Sequence, residues 1–471
     1  MTAVSRLLAR PPAAGERLRV LSASGQLGYG IVQASFERGL QRKPHFIGCD
    51  MGSIDPGPYY LGSGQMAAPR AMVMRDLDLV LCGARALDVP LIIGSAGTAG
   101  ARPHLQATLA LLREVAQARG LSFRVATVSS DVPVAHLLTA LQEGRLHPLE
   151  EQPGEPLQLP DAQQLQSCRH IVAQCGSHTF MQALGRMPDV LIAGRACDTA
   201  IFAALPLMLG YPAGLALHMA KIVECTSLCC EPGGRDAMLA ELGPDDFILE
   251  SMNPALRATP SSVAAHALYE QADPWRVEEP EGTLELMQAR YEALDERRTR
   301  VSGARFVPRD RPTLKVEGAA RVGARAVLMA GVADPTFIEH LPQALSQVQA
   351  RVHQLVAGDW QMVPHVYGQG AVRPLPPEQR SAHEVGLVLE FLADELELAR
   401  TAAAVFKQNL LHFGYPGRLT TGGNLAFAFT PSEVDAHESY RFRLYHRLDG
   451  ADPDQVFGLE VQDWVCEEAR A

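Results

Sequence analysis

The chain has 471 residues, of which 47% are hydrophobic and 20% are charged, a composition typical of a globular protein. Its formal net charge of −11 argues against a nucleic-acid partner and against an anionic membrane surface, because both select a surplus of Lys and Arg. Small anionic substrates stay compatible with it, since a few local cations or a helix N-terminus are enough to bind them. Nine cysteines lie at scattered positions without zinc-finger spacing, which indicates reduced thiols and a cytoplasmic location.

Residues 1–17 carry no long apolar core and are expected to form a flexible tail. From residue 18 to residue 271, short apolar runs alternate with helical patterns; the runs lie at residues 19–21, 45–48, 90–93, 123–128 and 189–193. Continuous apolar runs of this kind predict an α/β domain with a mainly parallel, doubly wound sheet. Such sheets bind ligands beyond the carboxyl ends of their strands, where this chain concentrates its Gly, Ser and Asp residues.

The second half of the chain has a different pattern. Residues 272–312 are rich in Pro, Glu and Arg and are expected to be a charged connecting segment with one helix. Residues 313–450 show the order β-α-β-β-α-β, which predicts a smaller, ferredoxin-like α+β domain, and residues 451–471 are expected to be a C-terminal tail. The uncharged stretch 199–217 is interrupted by Pro and Gly, which favours two short buried helices over a membrane span.

One loop of the first domain is rich in glycine. Residues 94–100 have the spacing G-x-x-G-x-x-G between a strand and a helix, so Ser95 and Gly97 are candidates to bind a carboxylate or a phosphate. Tight packing of strand against helix is the alternative. The spacing is neither that of a dinucleotide-binding loop nor that of a P-loop, and the chain shows no nicotinamide, flavin or ATP fingerprint.

Carboxylates end two other strands. Asp50 and Asp55 flank Ser53 in one loop, where they could hold a divalent cation or act as acid and base, although Asp55 before Pro56 also suits a turn. Asp131 follows Ser129 at the end of a strand and is a candidate catalytic residue with Ser129 as a substrate ligand. Helix capping by Asp131 is the alternative.

The fifth strand and the helix after it carry the remaining candidates. Arg195 is expected to clamp a substrate carboxylate beside Asp198, or the two side chains neutralise each other. His218, Lys221 and Cys225 fall on one face of a helix, where His218 could be a general base and Cys225 a nucleophile. The alternative is a buried structural helix.

Several long segments resemble the acyclic terpene utilisation family, the AtuA type. They include GQLGYG at 25–30, GCDMGSIDPGPYYLGSG at 48–64, PLIIGSAGTAGARPH at 90–104, DVLIAGRACDTAIFAALP at 189–206 and HFGYPGRLTTGGNLAF at 412–427. The resemblance spans about residues 18–446 and implies a role in degrading terpenoid or other organic acids through coenzyme A thioesters. It also implies a chain without the extra C-terminal module of longer members. Relatives of this length are found beside a small, separate ferredoxin-fold partner protein, which supplies that module.

These observations predict an enzyme of organic-acid or acyl-coenzyme A breakdown that hydrates, dehydrates or isomerises its substrate. The expected catalytic residues are Asp50, Asp131 and His218; the expected substrate ligands are Ser53, Ser95, Gly97, Ser129, Arg195 and Asp198; and Asp55, Lys221 and Cys225 are expected to support them. A non-catalytic metabolite-binding subunit and a metal-dependent hydrolase are the alternatives. We expect a homo-oligomer, as for many soluble enzymes.

Overall fold

The structure is a computed structural model that describes residues 1–149, 158–268, 271, 273–379, 382–419 and 422–466. The chain divides into two compact units, the first made of Met1–Ala320 with Phe442–Ala471 and the second of Arg321–Arg441. The boundaries fall inside two long strands, β15 (Thr313–Val332) and β18 (Glu433–Asp449).

The strands follow one another along the chain as β1 (Leu18–Ser24), β2 (Phe46–Asp50), β3 (Leu91–Gly94), β4 (Phe123–Ser129), β5 (Leu146–Pro148), β6 (Cys168–Ala173), β7 (Val190–Ala193), β8 (Met238–Leu242), β9 (Asp246–Ser251), β10 (Arg276–Glu279), β11 (Gly282–Glu285), β12 (Arg290–Ala293), β13 (Arg298–Ser302), β14 (Arg305–Pro308), β15 (Thr313–Val332), β16 (Trp360–Tyr367), β17 (Val385–Ala393), β18 (Glu433–Asp449) and β19 (Gly458–Trp464).

The α-helices are α1 (Ala3–Ala9), α2 (Gln33–Gln41), α3 (Pro58–Ser63), α4 (Arg70–Leu87), α5 (Arg102–Arg119), α6 (Val134–Gln142), α7 (Ala162–Ser167), α8 (Ser177–Leu184), α9 (Asp198–Met208), α10 (Ala213–Val223), α11 (Pro260–Ala267), α12 (Pro335–Leu355), α13 (Leu396–Leu411) and α14 (Pro453–Val456). Short 3-10 turns lie at Thr226–Cys229 and Pro377–Gln379.

The large sheet of the first unit is mixed. Its strand order is β12-β13-β9-β8-β1-β2-β3-β7-β4-β19. The strands β1, β2, β3, β7 and β4 are parallel, whereas β8 and β19 join them in antiparallel pairing. The prediction of a mainly parallel sheet therefore holds for the central strands and not for the whole sheet. Only residues 243–245 separate β8 from β9, and so short a connection permits antiparallel pairing alone.

Alternate residues of the central strands pack on opposite faces of this sheet. In β3, Ile92 belongs to the same apolar cluster as Phe202 of α9. Leu91 and Ile93 belong to a second cluster with Leu77 of α4 and Leu112 of α5. Helices thus cover both faces, and β3 is buried along its whole length, as its continuous apolar run predicts.

Three segments that the sequence places outside the domains belong to the first unit. The expected flexible tail contains α1, whose Val4 is fully buried and whose Ala3 amide donates to Asp189 Oδ1 at 2.8 Å. The expected connecting segment 272–312 forms β10–β14 rather than a charged helix. The expected C-terminal tail contains β19, which pairs with β4 from Gly458 to Trp464. Residues 272 and 467–471 of these segments lie outside the described residues.

Alternation explains why residues 276–308 form strands. In β13, Thr299 and Val301 are buried while their neighbours are partly exposed, and in β10 Val277 and Glu279 are buried between exposed residues. Such a period of two fits a sheet and not a helix. Most charged residues of these strands occupy the exposed or partly exposed positions. Composition alone therefore does not show the alternation of buried and exposed residues.

The second unit contains the end of β15, then α12, β16, β17, α13 and the start of β18. Its strand order is β16-β17-β15-β18, and β17 is antiparallel to both β15 and β16. The core includes Phe337 of α12, Phe391 of β17 and Phe406 of α13, all fully buried. The order of elements is the predicted β-α-β-β-α-β.

Candidate active site

A cavity of about 460 Å³ lies in the first unit, beyond the carboxyl ends of β1, β2 and β7. Its lining includes residues from the loops after these three strands, from the turn after α10, and from β15 and β18. The polar and charged side chains of this lining include Asp50, Arg195, Asp198, Cys225, Lys315 and Tyr445. The position agrees with the rule that sheets of this kind bind ligands at the strand ends.

The loop after β1 is held in shape by a buried carboxylate. Asp76 of α4 accepts hydrogen bonds from the backbone amides of Gly28 at 2.9 Å, Gly30 at 2.9 Å and Ile31 at 3.0 Å. Its side chain is completely buried and is also paired with Arg75. Three fixed amides make this wall of the cavity rigid.

Asp50 is the most deeply buried carboxyl of the cavity lining. It ends β2, only 6% of its surface is exposed, and among the described residues its Oδ1 has no hydrogen-bond partner. Burial and then the neighbouring Asp198 raise the pKa of Asp50 well above its ordinary range, and Arg195 opposes the rise. Asp50 is therefore a carboxylic acid that retains its proton where ordinary carboxyls have lost it.

Asp198 begins α9, immediately after the loop that follows β7, and lines the same cavity. Its position in the first turn of a helix favours a negative charge. Since Asp198 raises the pKa of Asp50 by its charge, the two carboxyls form an interacting pair. The sequence predicted both residues at strand ends as members of one site, and both line this cavity.

Arg195 forms a buried salt bridge with Glu317. Its Nε donates to Glu317 Oε2 at 2.9 Å and its Nη2 to Glu317 Oε1 at 3.2 Å, while Nη1 reaches Ser95 Oγ at 3.2 Å and the Gly52 carbonyl at 3.4 Å. Burial alone would lower the pKa of Arg195, yet the charge of Glu317 raises it above its usual value. The planar fork expected to clamp a substrate carboxylate therefore holds Glu317 instead.

The glycine-rich loop supports Arg195 and contributes no side chain to the cavity lining. Ser95 is fully buried and its Oγ accepts from Arg195, so the hydroxyl expected to bind substrate is used internally. Gly97 adopts a φ of +63°, and a Cβ there would lie 2.7 Å from the Cβ of His104. Of the two readings of this loop, the geometry favours tight packing of strand against helix.

Asp131 and Ser129 lie away from the cavity lining. Asp131 Oδ1 accepts from the Arg102 amide at 3.2 Å, at the first residue of α5, so the carboxylate acts near a helix N-terminus. Burial raises the pKa of Asp131. Ser129 is the last residue of β4 and pairs with Gly458 of β19.

His218 is enclosed by aromatic rings. Its side chain is fully buried, its Nε2 lies 3.1 Å from the Tyr291 hydroxyl, and its ring meets those of Phe247 and Tyr291 edge-on. Burial lowers the pKa of His218 to about 3, so the ring is neutral near pH 7. It does not line the cavity, which favours the structural reading of its helix over a role as general base.

Lys221 of α10 and Cys225, which lies just beyond the end of α10, do line cavities. Cys225 lines the first cavity, and burial followed by the charge of Glu224 raises the pKa of its thiol, so it is not an activated nucleophile. Lys221 is buried and its Nζ lies 2.6 Å from Glu224 Oε1. Ser53 and Asp55 line the first cavity as well; the Ser53 hydroxyl accepts from the Asp55 amide at 3.1 Å and fixes their turn.

A second cavity of about 350 Å³ adjoins the first. Both are lined by Gln174, Asp198, Gln271, Lys315 and Tyr445. The second also contains Lys221, Glu224 and the buried Glu279, whose Oε2 accepts from the Thr199 hydroxyl at 2.8 Å. Burial, opposed by this hydrogen bond and reinforced by Glu281 and Glu224, raises the pKa of Glu279 to about 8.

The sequence profile of the acyclic terpene utilisation family protein AtuA matches residues 75–232 and 251–435, more than half of the chain. The chain belongs to the acyclic terpene utilisation family. Arg195, Asp198 and Lys315 fall inside the matched ranges of this family, whereas Asp50 and Tyr445 fall outside them. No curated protein and no solved structure matches the chain significantly.

Sequence reasoning missed the residues that β15 and β18 bring to the site of this family member. Lys315 extends over the Tyr445 ring, 4.3 Å from its centroid, and among the described residues it forms no salt bridge. Glu317, two positions along the same face of β15, is the partner of Arg195. The lone lysine and glutamate stand in an apolar strand pattern, and that contrast was the available signal.

Neither a cluster of metal-binding side chains nor a membrane-spanning helix is found among the described residues. The described part of the chain contains no group of three or more His, Cys, Asp or Glu residues arranged to hold a metal ion. Within the same residues, no helix combines the length and the apolar character that crossing a membrane requires. All nine cysteines are free thiols.

Proposed function

We propose that this member of the acyclic terpene utilisation family is an enzyme that acts on an organic acid or its coenzyme A thioester. The reaction is a hydration, a dehydration or an isomerisation driven by acid–base chemistry in the first cavity. The observation that carries the proposal is Asp50, a buried carboxyl that lines the cavity and has one oxygen without a hydrogen-bond partner among the described residues. Family membership supports the setting of terpene utilisation.

Asp50 is the general acid and base. A carboxyl whose pKa is raised holds a proton that it can give to a substrate oxygen or carbon, and it can take one back in the reverse step. Asp198 disfavours the charge of Asp50, whereas Arg195 stabilises that charge once the proton has left.

Lys315 binds the anionic group of the substrate. The guanidinium of Arg195 is held by Glu317, and Lys315 is a second basic side chain that lines the cavity and lies over the Tyr445 ring. An ammonium over a ring keeps its donors available to a carboxylate or thioester oxygen on its other side. We therefore assign to Lys315 the role that the sequence suggested for Arg195.

Proton exchange with solvent tests this proposal. Purified protein is incubated in D₂O with short hydroxy and unsaturated acids and with their coenzyme A thioesters, and deuterium entering carbon positions is measured by mass spectrometry. The proposal predicts incorporation into at least one substrate and its loss in Lys315→Met. Incorporation only after a small ferredoxin-fold partner is added would favour the alternative of a subunit that binds a metabolite for that partner.

We also infer the finer fold assignments. Helices on both faces of the central parallel strands support a doubly wound arrangement in the first unit. The order β-α-β-β-α-β with strand order β16-β17-β15-β18 supports a ferredoxin-like second unit. An experimental structure of the chain would test both.

A further inference from the structure

The two cavities of the first unit adjoin each other, and the residues that line both define a junction. Five residues line both cavities, and they include the proposed anion ligand Lys315 and the Asp50 neighbour Asp198. Tyr445 lies against Lys315 at the same place. A ligand whose anionic group is bound by Lys315 therefore has space on two sides, toward Asp50 in the first cavity and toward Glu279 in the second.

The second cavity is lined mainly by polar side chains. Of the sixteen described residues that line it, Leu149, Val277 and Pro280 are the aliphatic ones. The remainder include the buried groups Lys221, Glu224 and Glu279, at 6%, 3% and 5% exposure. A hydrocarbon chain offers no hydrogen bond to the carboxyl of Glu279, so this lining favours a polar ligand group.

Glu279 is placed to recognise an oxygen. One of its carboxyl oxygens, Oε2, accepts the Thr199 hydroxyl at 2.8 Å, and Thr199 follows Asp198 in the first turn of α9. The side chain lines the second cavity, where its carboxyl can meet a polar group of a ligand. Because burial keeps this carboxyl protonated up to about pH 8, it can donate a hydrogen bond to a carboxylate, carbonyl or hydroxyl oxygen.

We propose that the substrate is a bifunctional organic acid, with one carboxylate bound by Lys315 at the junction and a second oxygen-bearing group bound by Glu279 in the second cavity. The carbons beside the first carboxylate face Asp50. This inference rests on the proposed function and narrows its substrate class: the group that reaches into the second cavity is polar and is not a terpenoid hydrocarbon chain.

Binding of matched acids tests the inference. Isothermal titration calorimetry compares the dicarboxylates succinate, glutarate, adipate and pimelate with monocarboxylates of equal carbon number. At least one dicarboxylate is expected to bind at least tenfold more tightly than its matched monocarboxylate. Glu279→Leu should remove that difference and leave monocarboxylate affinity unchanged, whereas Glu292→Gln, on an exposed position of β12, should preserve it.

Thr199→Val provides a second variant in case Glu279→Leu fails to fold. It removes the hydroxyl that donates to Glu279 and should therefore reduce the preference for dicarboxylates over monocarboxylates. Equal affinities in the wild-type protein, no binding of either series, or monocarboxylate affinity that increases with chain length would overturn the inference. The measurement needs no turnover. A preference for dicarboxylates without any turnover would support this inference and contradict the proposed function. Turnover of monocarboxylates without such a preference would support the proposed function and contradict this inference.

Discussion

The carboxylate of Glu317 accepts two hydrogen bonds from Arg195, one from Nε at 2.9 Å and one from Nη2 at 3.2 Å, across 122 residues of chain. Both side chains are buried, at 5% exposure for Arg195 and 0% for Glu317, and Gln174 Nε2 donates a further bond to Glu317 at 2.9 Å. Burial would raise the pKa of Glu317, but the charges of Arg195 and Lys315 outweigh it and lower that pKa. This pair fixes β15 against the loop after β7.

Breaking this pair should destabilise the protein strongly. Glu317→Gln leaves the Arg195 charge buried without its counterion, so we expect the free energy of unfolding to fall by about 3–5 kcal/mol. The double variant Arg195→Met with Glu317→Leu should recover part of the loss, because neither charge is then left unpaired. Urea unfolding measures both effects, and a Glu317→Gln protein as stable as wild type would contradict this account.

Two glycines with similar backbone angles provide a matched pair of variants. Gly100 has a φ of +68° and a Cβ there would lie 2.1 Å from the Arg195 backbone nitrogen, whereas Gly120 has a φ of +64° and nothing within 4 Å of that position. Gly120→Ala should cost about 1 kcal/mol from its left-handed backbone. Gly100→Ala should cost more than about 3 kcal/mol, because backbone must also move. Equal losses in thermal unfolding would show that the loop is not packed as described.

Glu279 should make stability decrease as pH rises. Its pKa is raised from 4.5 to about 8 in the folded protein, so between these values the folded state holds a proton that the unfolded chain has released. The free energy of unfolding therefore falls between about pH 4.5 and pH 8 and levels off above that range. Relative to Glu279→Gln, the decrease should be on the order of a few kcal/mol. Parallel stability curves for the two proteins between pH 5 and pH 8 would argue against a protonated Glu279.

Buried neutral histidines should make the protein less stable as pH falls, which is the opposite of the effect of Glu279. Burial lowers the pKa of His218 to about 3 and those of His104 and His266 to about 4, from an ordinary value of 6.5. Below pH 6.5 the unfolded chain binds protons that the folded state refuses, so these residues contribute stability above pH 6.5 and lose it as pH falls toward 4. His218→Phe should reduce this acid sensitivity in denaturant unfolding. A variant with the same acid sensitivity as wild type would exclude His218 as one of its sources.

The parts of the site that follow strand ends could be predicted from the sequence, because local signals mark them. The apolar run at residues 123–128 lies in β4 of the structure, and Asp50 and Asp198 both line one cavity. A Gly, Ser or Asp that follows an apolar run is visible in one short segment, so it requires no knowledge of distant pairing.

The partners of those residues could not be predicted in the same way. Whether Arg195 binds a substrate or Glu317 depends on β15 lying beside β6, a pairing between segments that are far apart in sequence. Likewise, His218 and Cys225 share a helical spacing but differ in surroundings, since one packs against Tyr291 of β12 and the other lines the cavity. Spacing defines a face of a helix; the elements packed against that face decide its chemistry.

Turnover by a pair of matched variants tests the central claim most directly. Asp50→Asn and Asp131→Asn replace two carboxyls whose pKa burial raises, but only Asp50 lines the cavity. With the substrate identified by deuterium incorporation, kcat of Asp50→Asn should fall by about 10²–10⁴ while binding persists, and kcat of Asp131→Asn should stay near the wild-type value. An Asp50→Asn protein with wild-type kcat, or equal losses in both variants, would contradict the assignment of Asp50 as the general acid and base.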